Sequence, residues 1–316
     1  MPELVQALHG VLENRTAGDP MKAEVVWTDL TPKEIKEDLA ERDLYVSEKV
    51  VRRLLEDQGY RRHAMHKCLQ LGEHKDRDAQ FQNIARIKEE YLASANPLLS
   101  IDTKKRELLG TFYRVGRVYT RHGLLAYDHD FPRYADGVVI PYGLYDLRRN
   151  LGYVSLGTSH DTTAFACDSI AWWWDEFGRR SYPGATSLCL LCDGGGSNSA
   201  DKYLFKEDLQ KLSDRLGLSI RVAHYPPYCS KFNPIERRLF CHLTRACRGV
   251  LFDSVATVRR LMEKTRTATG LSVRVGVLDK VYQTGRKYAE GFKENMKIHF
   301  DDSLPKWNYC AVPTGT

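Results

Sequence analysis

The most constraining feature of this sequence is the alternation of strand and helix patterns that begins at Leu98. Short apolar runs bounded by turn residues predict strands, and longer runs with apolar residues three and four apart predict helices. The predicted strands span residues 98–102, 140–146, 152–157, 188–192 and 219–224, and the predicted helices span 161–177, 200–216, 234–248 and 254–268. The order β, β-hairpin, α, β, α, β, α indicates an α/β fold in which helices cover both faces of a mixed sheet.

Three carboxylates stand at the ends of these elements, where α/β sheets gather functional groups. Asp102 ends the first strand, Asp193 ends the most apolar strand, and Glu236 opens the helix that follows Asn-Pro-Ile. If the first and fourth strands are neighbours, the two aspartates end side by side and repel unless a divalent cation lies between them. Oxygen ligands favour Mg²⁺ or Mn²⁺, and a pair of such ions can serve phosphoryl transfer. The alternative for each carboxylate is structural, as a turn cap or as a favourable charge at a helix start.

Ahead of the strands, residues 31–59 predict two short helices joined by a tight turn. Thr31, Pro32 and Glu34 form a capping-box signature, Ser47 is a second N-cap, and Gly59 ends the second helix. Such a hairpin with a basic exposed face is typical of a helix-turn-helix DNA-binding module. The alternative is an ordinary helical hairpin with a solvated charged face. The basic residues predicted to contact DNA are Lys49, Arg52, Arg53, Arg61 and Arg62.

Composition and short motifs exclude several other classes. The 47 Lys and Arg residues against 41 Asp and Glu give a net charge of +6, which favours anionic partners only mildly. No apolar run reaches the roughly 18 residues of a membrane span, and the N-terminus lacks signal-peptide regions, so we expect a cytoplasmic protein without membrane contact. Cys189 and Cys192 lie in an apolar run without a second pair, so we expect them in the core rather than on a metal. The triple glycine at 194–196 lacks the lysine of a phosphate loop, and Asp161 is expected to cap a helix.

Sequence blocks around the three carboxylates resemble those of DDE transposases in the Tc/mariner-like group. Residues 224–240, HYPPYCSKFNPIERRLF, resemble the block that supplies the third acidic residue, here Glu236. Residues 191–198, LCDGGGSN, and 100–107, SIDTKKRE, resemble the blocks of the second and first aspartates. The triple glycine, IPYGLYD at 140–146 and SHDT at 159–162 are similar to ISAzo-type transposases of bacterial insertion sequences. The likeness extends from about residue 33 to about residue 308.

This resemblance implies a definite fold and chemistry. The fold would be an RNase H-like domain with a mixed five-stranded sheet and helices on both faces, preceded by an all-α helix-turn-helix region. Asp102, Asp193 and Glu236 would be the catalytic and metal-binding residues, with Mg²⁺ or Mn²⁺ as cofactor, as two ions. The partners would be double-stranded DNA, as terminal repeats and target, and a second copy of the chain or a higher assembly on that DNA. The protein would work in the bacterial cytoplasm at the nucleoid.

The resemblance also suggests how the chain is divided. Family members usually carry an additional helix-turn-helix, and only about 30 weakly patterned residues precede Thr31, so we expect a shortened end-recognition region.

Two alternative functions fit part of the pattern, namely a transposase-derived regulator that binds DNA without catalysis and an RNase H-like nuclease without strand transfer. The expected regions are a helical DNA-binding region (1–75), a linking helix (76–97), a catalytic domain (98–250) with an unassigned insertion (110–139), and a helical or irregular C-terminal extension (251–316).

Overall fold

Two units of unequal size make up the chain, Met1–Leu69 and Gln70–Thr316. The structure, a computed structural model, describes residues 2–13, 16–19, 22–63, 74–198, 200 and 202–315. Within the described residues, no helix is long and apolar enough to cross a membrane.

The first unit packs three helices around a small apolar core. The elements are α1 (Pro2–Leu12), β1 (Thr16–Asp19), β2 (Lys22–Thr28), α2 (Pro32–Ala40) and α3 (Glu48–Asp57). The predicted caps are present, because Thr31 and Glu34 form a reciprocal capping box and Ser47 accepts a hydrogen bond from the Val50 amide. The core side chains are Leu8, Ile35, Leu39, Val51 and Leu54.

The antiparallel hairpin β1–β2 was not predicted, and it lies among the weakly patterned residues that precede Thr31. Its first strand, Thr-Ala-Gly-Asp, has no alternation of apolar and polar residues and therefore carries no strand signal.

The second unit is built on one large mixed sheet. Its strands are β3 (Leu98–Thr103), β4 (Glu107–Leu109), β5 (Gly137–Asp146), β6 (Leu151–Gly157), β7 (Ser187–Asp193), β8 (Ser219–Tyr225), β9 (Ser272–Leu278), β10 (Ile298–Phe300) and β11 (Asn308–Ala311). The order is β10-β11-β8-β7-β3-β5-β6-β9, with β4 paired to β5. In its centre, β3, β5 and β6 are antiparallel, while β7 and β8 run parallel to β3. This is the RNase H-like arrangement that the resemblance implies.

Helices cover both faces of this sheet, as predicted. They are α4 (Arg77–Ala93), α5 (Thr163–Trp173), α6 (Arg179–Ser181), α7 (Tyr203–Leu216), α8 (Cys241–Ala246), α9 (Val255–Glu263) and α10 (Phe292–Asn295), with π-helical turns at Trp174–Gly178 and Glu236–Phe240. On one face, α5 and α7 bury Phe165, Trp173 and Phe205 against side chains of the central strands. On the other face, α8 and α9 bury Leu243 and Met262.

The helix α4 belongs to the second unit and is more than a link. Its buried residues Ile84, Ile87 and Tyr91 pack in one cluster with Leu98 and Leu191 of the sheet. Because Ile84, Ile87 and Tyr91 are spaced by three and four residues, they share the face of α4 that packs on the sheet.

The C-terminal region also differs from the expected irregular extension. The strand β9 pairs in parallel with β6, and β11 pairs antiparallel with β8, so both ends of the five-stranded core are extended. The short strands β10 and β11 lack a clear alternating pattern, and pairing defines them: β11 pairs with β8, and β10 pairs with β11. The predicted insertion is mainly irregular from Gly110 to Asp136, and its last residues begin β5.

Candidate active site

The two aspartates end neighbouring parallel strands, which is the condition under which the sequence places them side by side. Pairing of β3 with β7 puts Ser100 opposite Leu191, and the same register two residues further on puts Asp102 opposite Asp193. Because side chains alternate along a strand, both aspartates point to the face that carries Leu98 and Leu191. Both carboxylates therefore occupy the same edge and the same face of the sheet.

Glu236 approaches this edge from a π-helical turn, Glu236–Phe240. The Cys241 amide donates to the Glu236 carbonyl, five residues back, instead of closing an ordinary α-turn. Such turns are rare and occur frequently at functional sites. The sequence predicted a helix start here but gave no sign of the wider turn.

Asn233 connects all three elements of the site. Its amide nitrogen donates to Asp193 Oδ1 at 3.2 Å and to the Ile101 carbonyl at 3.3 Å, and its Oδ1 accepts a hydrogen bond from the Ser100 hydroxyl. The Ser100 hydroxyl in turn accepts the Ile235 amide at 3.0 Å. Asn233 is fully buried, so these bonds hold the start of the Glu236 turn against both aspartate strands. The sequence showed Asn233 only as part of the Asn-Pro-Ile motif, so this role was missed. The one indication in the sequence was a polar residue three positions before Glu236.

Burial raises the pKa of all three carboxyl groups, and neighbouring carboxylates add to the increase at Asp102 and Asp193. Burial raises the pKa of Asp102 to about 7, and the nearby charges of Asp193, Glu236 and Asp161 add to the increase, against the Thr103 amide that donates to it at 2.8 Å. Burial raises the pKa of Asp193 to about 6, opposed by the Asn233 hydrogen bond and supported by Glu236. Burial also raises the pKa of Glu236, while Lys104 lowers it. Ionising all three groups together is therefore costly without a compensating cation.

An open cavity of about 730 Å³ lies over the aspartates. Asp102, Asp193 and the backbone of Gly194–Gly196 line it, with Lys104 and Lys306 among its positive groups. Glu236 is outside this lining, although it is near enough to act on the pKa of both aspartates. The cavity thus combines an acidic floor with basic side chains at its border.

Asp161 does not cap the following helix, so that prediction was wrong. The N-cap of α5 is Thr162, whose hydroxyl accepts the Phe165 amide at 3.2 Å. Asp161 instead accepts a hydrogen bond from the Thr103 hydroxyl at 3.2 Å and lines the same cavity as Asp102. Thr162 reaches the free amide because it immediately precedes the first helical residue.

The donor set fits a hard divalent cation, because buried carboxylates that repel one another are stabilised by such an ion. Within the described residues, however, no three or more His, Cys, Asp or Glu side chains already form a metal-ligand group. The carboxylates therefore influence one another electrostatically without forming a closed ligand cage by themselves.

The paired cysteines 189 and 192 are buried on β7, as predicted for core residues. Burial raises the pKa of both thiols, and Cys192 lies 3.4 Å from the His224 ring nitrogen Nδ1. Neutral thiols in such surroundings are poor metal ligands.

The residues predicted to contact DNA all lie in the first unit and are exposed. Lys49, Arg52 and Arg53 are on α3, where Arg52 pairs with Glu48 at 3.3 Å. Arg61 and Arg62 follow the helix, and the Arg61 guanidinium donates to the carbonyls of Glu56 and Tyr60. The basic segment that begins at Arg61 continues to Lys67, and its residues from 64 on lie outside the described residues.

Comparison with known proteins adds an independent observation. Residues 7–313 match the family model described as "Rhodopirellula transposase DDE domain". No curated protein matches the sequence.

Several solved structures are similar in fold to part of the chain. They include the "Mos1 transposase paired-end complex with left transposon end" (15% identity, 82% of this chain and 70% of that chain covered, TM-score 0.47). They also include the "mariner Mos1 paired end complex with Mg" (16%, 81%, 69%, TM-score 0.48) and the "Mos1 mariner paired end complex with Mn" (15%, 82%, 70%, TM-score 0.46). The match of the family model to nearly the whole sequence shows that the chain belongs to this family of DDE transposases.

Proposed function

We propose that this transposase binds the ends of a mobile DNA element, cuts phosphodiester bonds there and joins the ends to target DNA through Asp102, Asp193 and Glu236. The observation that carries the proposal is that two adjacent strands bring Asp102 and Asp193 to one cavity, and that a π-helical turn holds Glu236 near enough to raise the pKa of both. The raised pKa of both aspartates, to which Glu236 contributes, supports a role in holding cations rather than three separate structural roles.

Asp102, Asp193 and Glu236 would hold Mg²⁺ or Mn²⁺, as one or two ions. A bound ion would supply charge stabilisation for the attacking and leaving oxygens. The chain's own residues do the remaining work. Asn233 orients Asp193, and the positive charge of Lys104 favours the ionised form of Glu236. The backbone of Gly194–Gly196, which carries no side chains, allows a DNA strand to approach the aspartates closely.

DNA recognition is assigned to the first unit, with Lys49, Arg52, Arg53, Arg61 and Arg62 as the contacting residues. Their exposure on and after the second helix of a capped hairpin supports this assignment. Joining two element ends requires that both be held together, so we also propose a dimer or higher assembly on DNA. Light scattering of the protein with and without terminal-repeat DNA tests the assembly.

The central experiment incubates the full chain with Mg²⁺ and DNA carrying the element's terminal repeats. Cleaved ends joined to a target are expected. Cleavage without joining would identify a nuclease, and binding without cleavage would identify a regulator.

The Glu236→Gln variant should bind the same DNA and lose cutting and joining by orders of magnitude, because it loses a negative charge at constant size. Glu89→Gln makes the same chemical change on an exposed face of α4 and should keep the parental rate. Parental activity of Glu236→Gln would contradict the proposed site.

A further inference from the structure

One segment of the second unit has a marked excess of positive charge. Residues 234–270, which contain the π-helical turn, α8 and α9, hold eight Arg and Lys residues against three Asp and Glu. This short segment alone accounts for most of the net charge of +6 of the whole chain. Its charge therefore differs from that of an average solvated surface, in which both signs are interspersed.

Four exposed residues follow one another along the π-helical turn, α8 and the turn after α8. Arg237, Cys241, Arg245 and Arg248 are spaced by four, four and three residues, and all four are exposed. Residues at this spacing share one helical face. The opposite face, with Leu239, Phe240, Leu243 and Cys247, is buried against the sheet. We call these four exposed residues the basic stripe.

The guanidinium groups of the basic stripe have no acidic partners among the described residues. Neither Arg237 nor Arg245 nor Arg248 makes an ion pair or a side-chain hydrogen bond in that part of the chain. On the opposite side of the sheet, by contrast, Arg179 and Arg215 both pair with Asp175, at 3.6 and 2.6 Å. Like charges aligned without counter-charges repel one another, and a polyanion would compensate them.

The irregular segment between β4 and β5 extends this surface. Gly116 packs against the backbone of Arg248 and Gly249 so closely that an added Cβ would lie 2.6 Å from the Gly249 nitrogen. The next residue, Arg117, is exposed at this contact. The end of the basic stripe therefore gains a further cation from a distant part of the sequence.

From these observations we propose that the basic stripe binds the phosphate backbone of double-stranded DNA without reading its sequence. The proposal rests on the proposed function and adds a second DNA-binding surface, separate from the helix-turn-helix. The stripe from Arg237 to Arg248 is roughly 16 Å long at the rise of a helix, comparable to the axial rise of about five base pairs of duplex DNA. Because Glu236 immediately precedes it in the chain, DNA bound along the stripe would lead to the active site.

Cys241 offers a direct test, because it lies within the stripe and is the one exposed cysteine among the described residues. The full chain is alkylated with iodoacetamide, with and without a 30-base-pair duplex of arbitrary sequence, in EDTA to prevent cutting (the duplex length being about three helical turns). Mass spectrometry of the peptide containing Cys241 should show alkylation slowed several-fold by DNA. An unchanged rate in a sample in which DNA binding is verified would overturn the proposal.

Variants supply the second measurement. Arg245→Ala with Arg248→Ala should weaken binding of the arbitrary duplex and make the dependence of log affinity on log salt shallower by about two units. Arg245→Lys with Arg248→Lys keeps the charge and should keep the slope. Arg179→Ala with Arg215→Ala removes the same charge from the opposite side of the sheet and should leave the slope unchanged. If both double alanine variants lost the same DNA affinity and salt dependence, the effect would come from the overall charge of the protein, and the proposal would be contradicted.

These readouts also separate the inference from the proposed function. Protection of Cys241 in a protein that never cuts DNA would support the stripe and refute the chemistry. Cutting and joining of DNA without protection of Cys241 would support the proposed function and refute the role of the basic stripe.

Discussion

At the scale of single residues, the Asn233 side chain holds the start of the Glu236 turn against the strands of both aspartates. Its side chain bonds to Asp193, to Ser100 and to the Ile101 carbonyl, and each of these groups is buried or half-buried. A buried hydrogen-bonding group that loses its partner costs about 1–3 kcal/mol. The free energy of unfolding and the position of the aspartate therefore depend on the same side chain.

We expect Asn233→Ala to lower the melting temperature by several degrees and to reduce DNA cutting far more than stability explains. Asn308→Ala is the matched control, since Asn308 is equally buried and bonds to Gln80 in a different part of the unit. Both variants should lose similar stability in thermal melts. Cutting assays below the melting range should show a large loss only for Asn233→Ala, and equal losses would argue against a positioning role.

A second residue-scale prediction concerns Asp102, whose pKa is raised to about 7 by burial and by Asp193. At pH 8 with EDTA, an ionised Asp102 opposes folding, so Asp102→Asn should raise the melting temperature. Mg²⁺ should stabilise the parental protein, because a ligand that binds only the folded state raises its stability, and this gain should shrink in the variant.

Asp302→Asn serves as the control, since Asp302 is exposed. It should leave both melting temperatures unchanged. A variant of Asp102 that is less stable than the parent in EDTA would show that its carboxylate is structural.

At the scale of elements, glycines in the sheet allow the Glu236 turn to approach the aspartates. Gly143 on β5 pairs with Asp102, and an added Cβ there would lie 2.5 Å from the Phe240 ring. Gly152 on β6 has a similar contact with Leu239, also at 2.5 Å. The π-helical turn therefore packs directly on backbone, which brings Glu236 within electrostatic range of Asp102.

We expect Gly143→Ala to destabilise the fold by about 1–3 kcal/mol through overpacking and to reduce cutting by displacing the Glu236 turn. Gly137→Ala lies in the same strand, where the added Cβ would meet only a Leu109 methyl group at 3.4 Å. Urea unfolding and DNA cutting should both be close to parental for this control. Parental cutting by Gly143→Ala would mean that the close approach of Phe240 is not needed for chemistry.

At the scale of the whole molecule, two compact units carry two different basic surfaces. The first unit presents Lys49, Arg52 and Arg53 on a helix of a capped hairpin, and the second presents the basic stripe. Phosphate contacts contribute affinity for any sequence, whereas a recognition helix can also contact base edges. The two surfaces should therefore contribute differently to specificity.

We expect the triple variant Lys49→Ala, Arg52→Ala, Arg53→Ala to lower the affinity ratio between terminal-repeat DNA and arbitrary DNA. The Arg245→Ala, Arg248→Ala pair should weaken binding to both DNAs equally and leave the ratio unchanged. Fluorescence anisotropy at several salt concentrations measures both quantities. An unchanged ratio in the triple variant would place end recognition outside α3.

Much of this protein follows from its sequence alone. The caps at Thr31 and Ser47, the apolar strands and the amphipathic helices are set by interactions within a few residues, so local patterns predict them. Local patterns also place Asp102 and Asp193 at strand ends, but the sequence makes them neighbours only on the condition that β3 and β7 pair, which the structure shows.

Other features depend on partners that are distant in the sequence. The strand β11 forms by pairing with β8, and β10 by pairing with β11, while the Thr103 hydroxyl that bonds Asp161 comes from a strand 58 residues earlier. The π-helical turn at Glu236 and the bonds of Asn233 likewise depend on Gly143 and Ser100. Local propensity fixes which elements form, but hydrogen bonds and close packing between distant segments decide how the site is assembled, because those energies arise only when the whole sheet has folded.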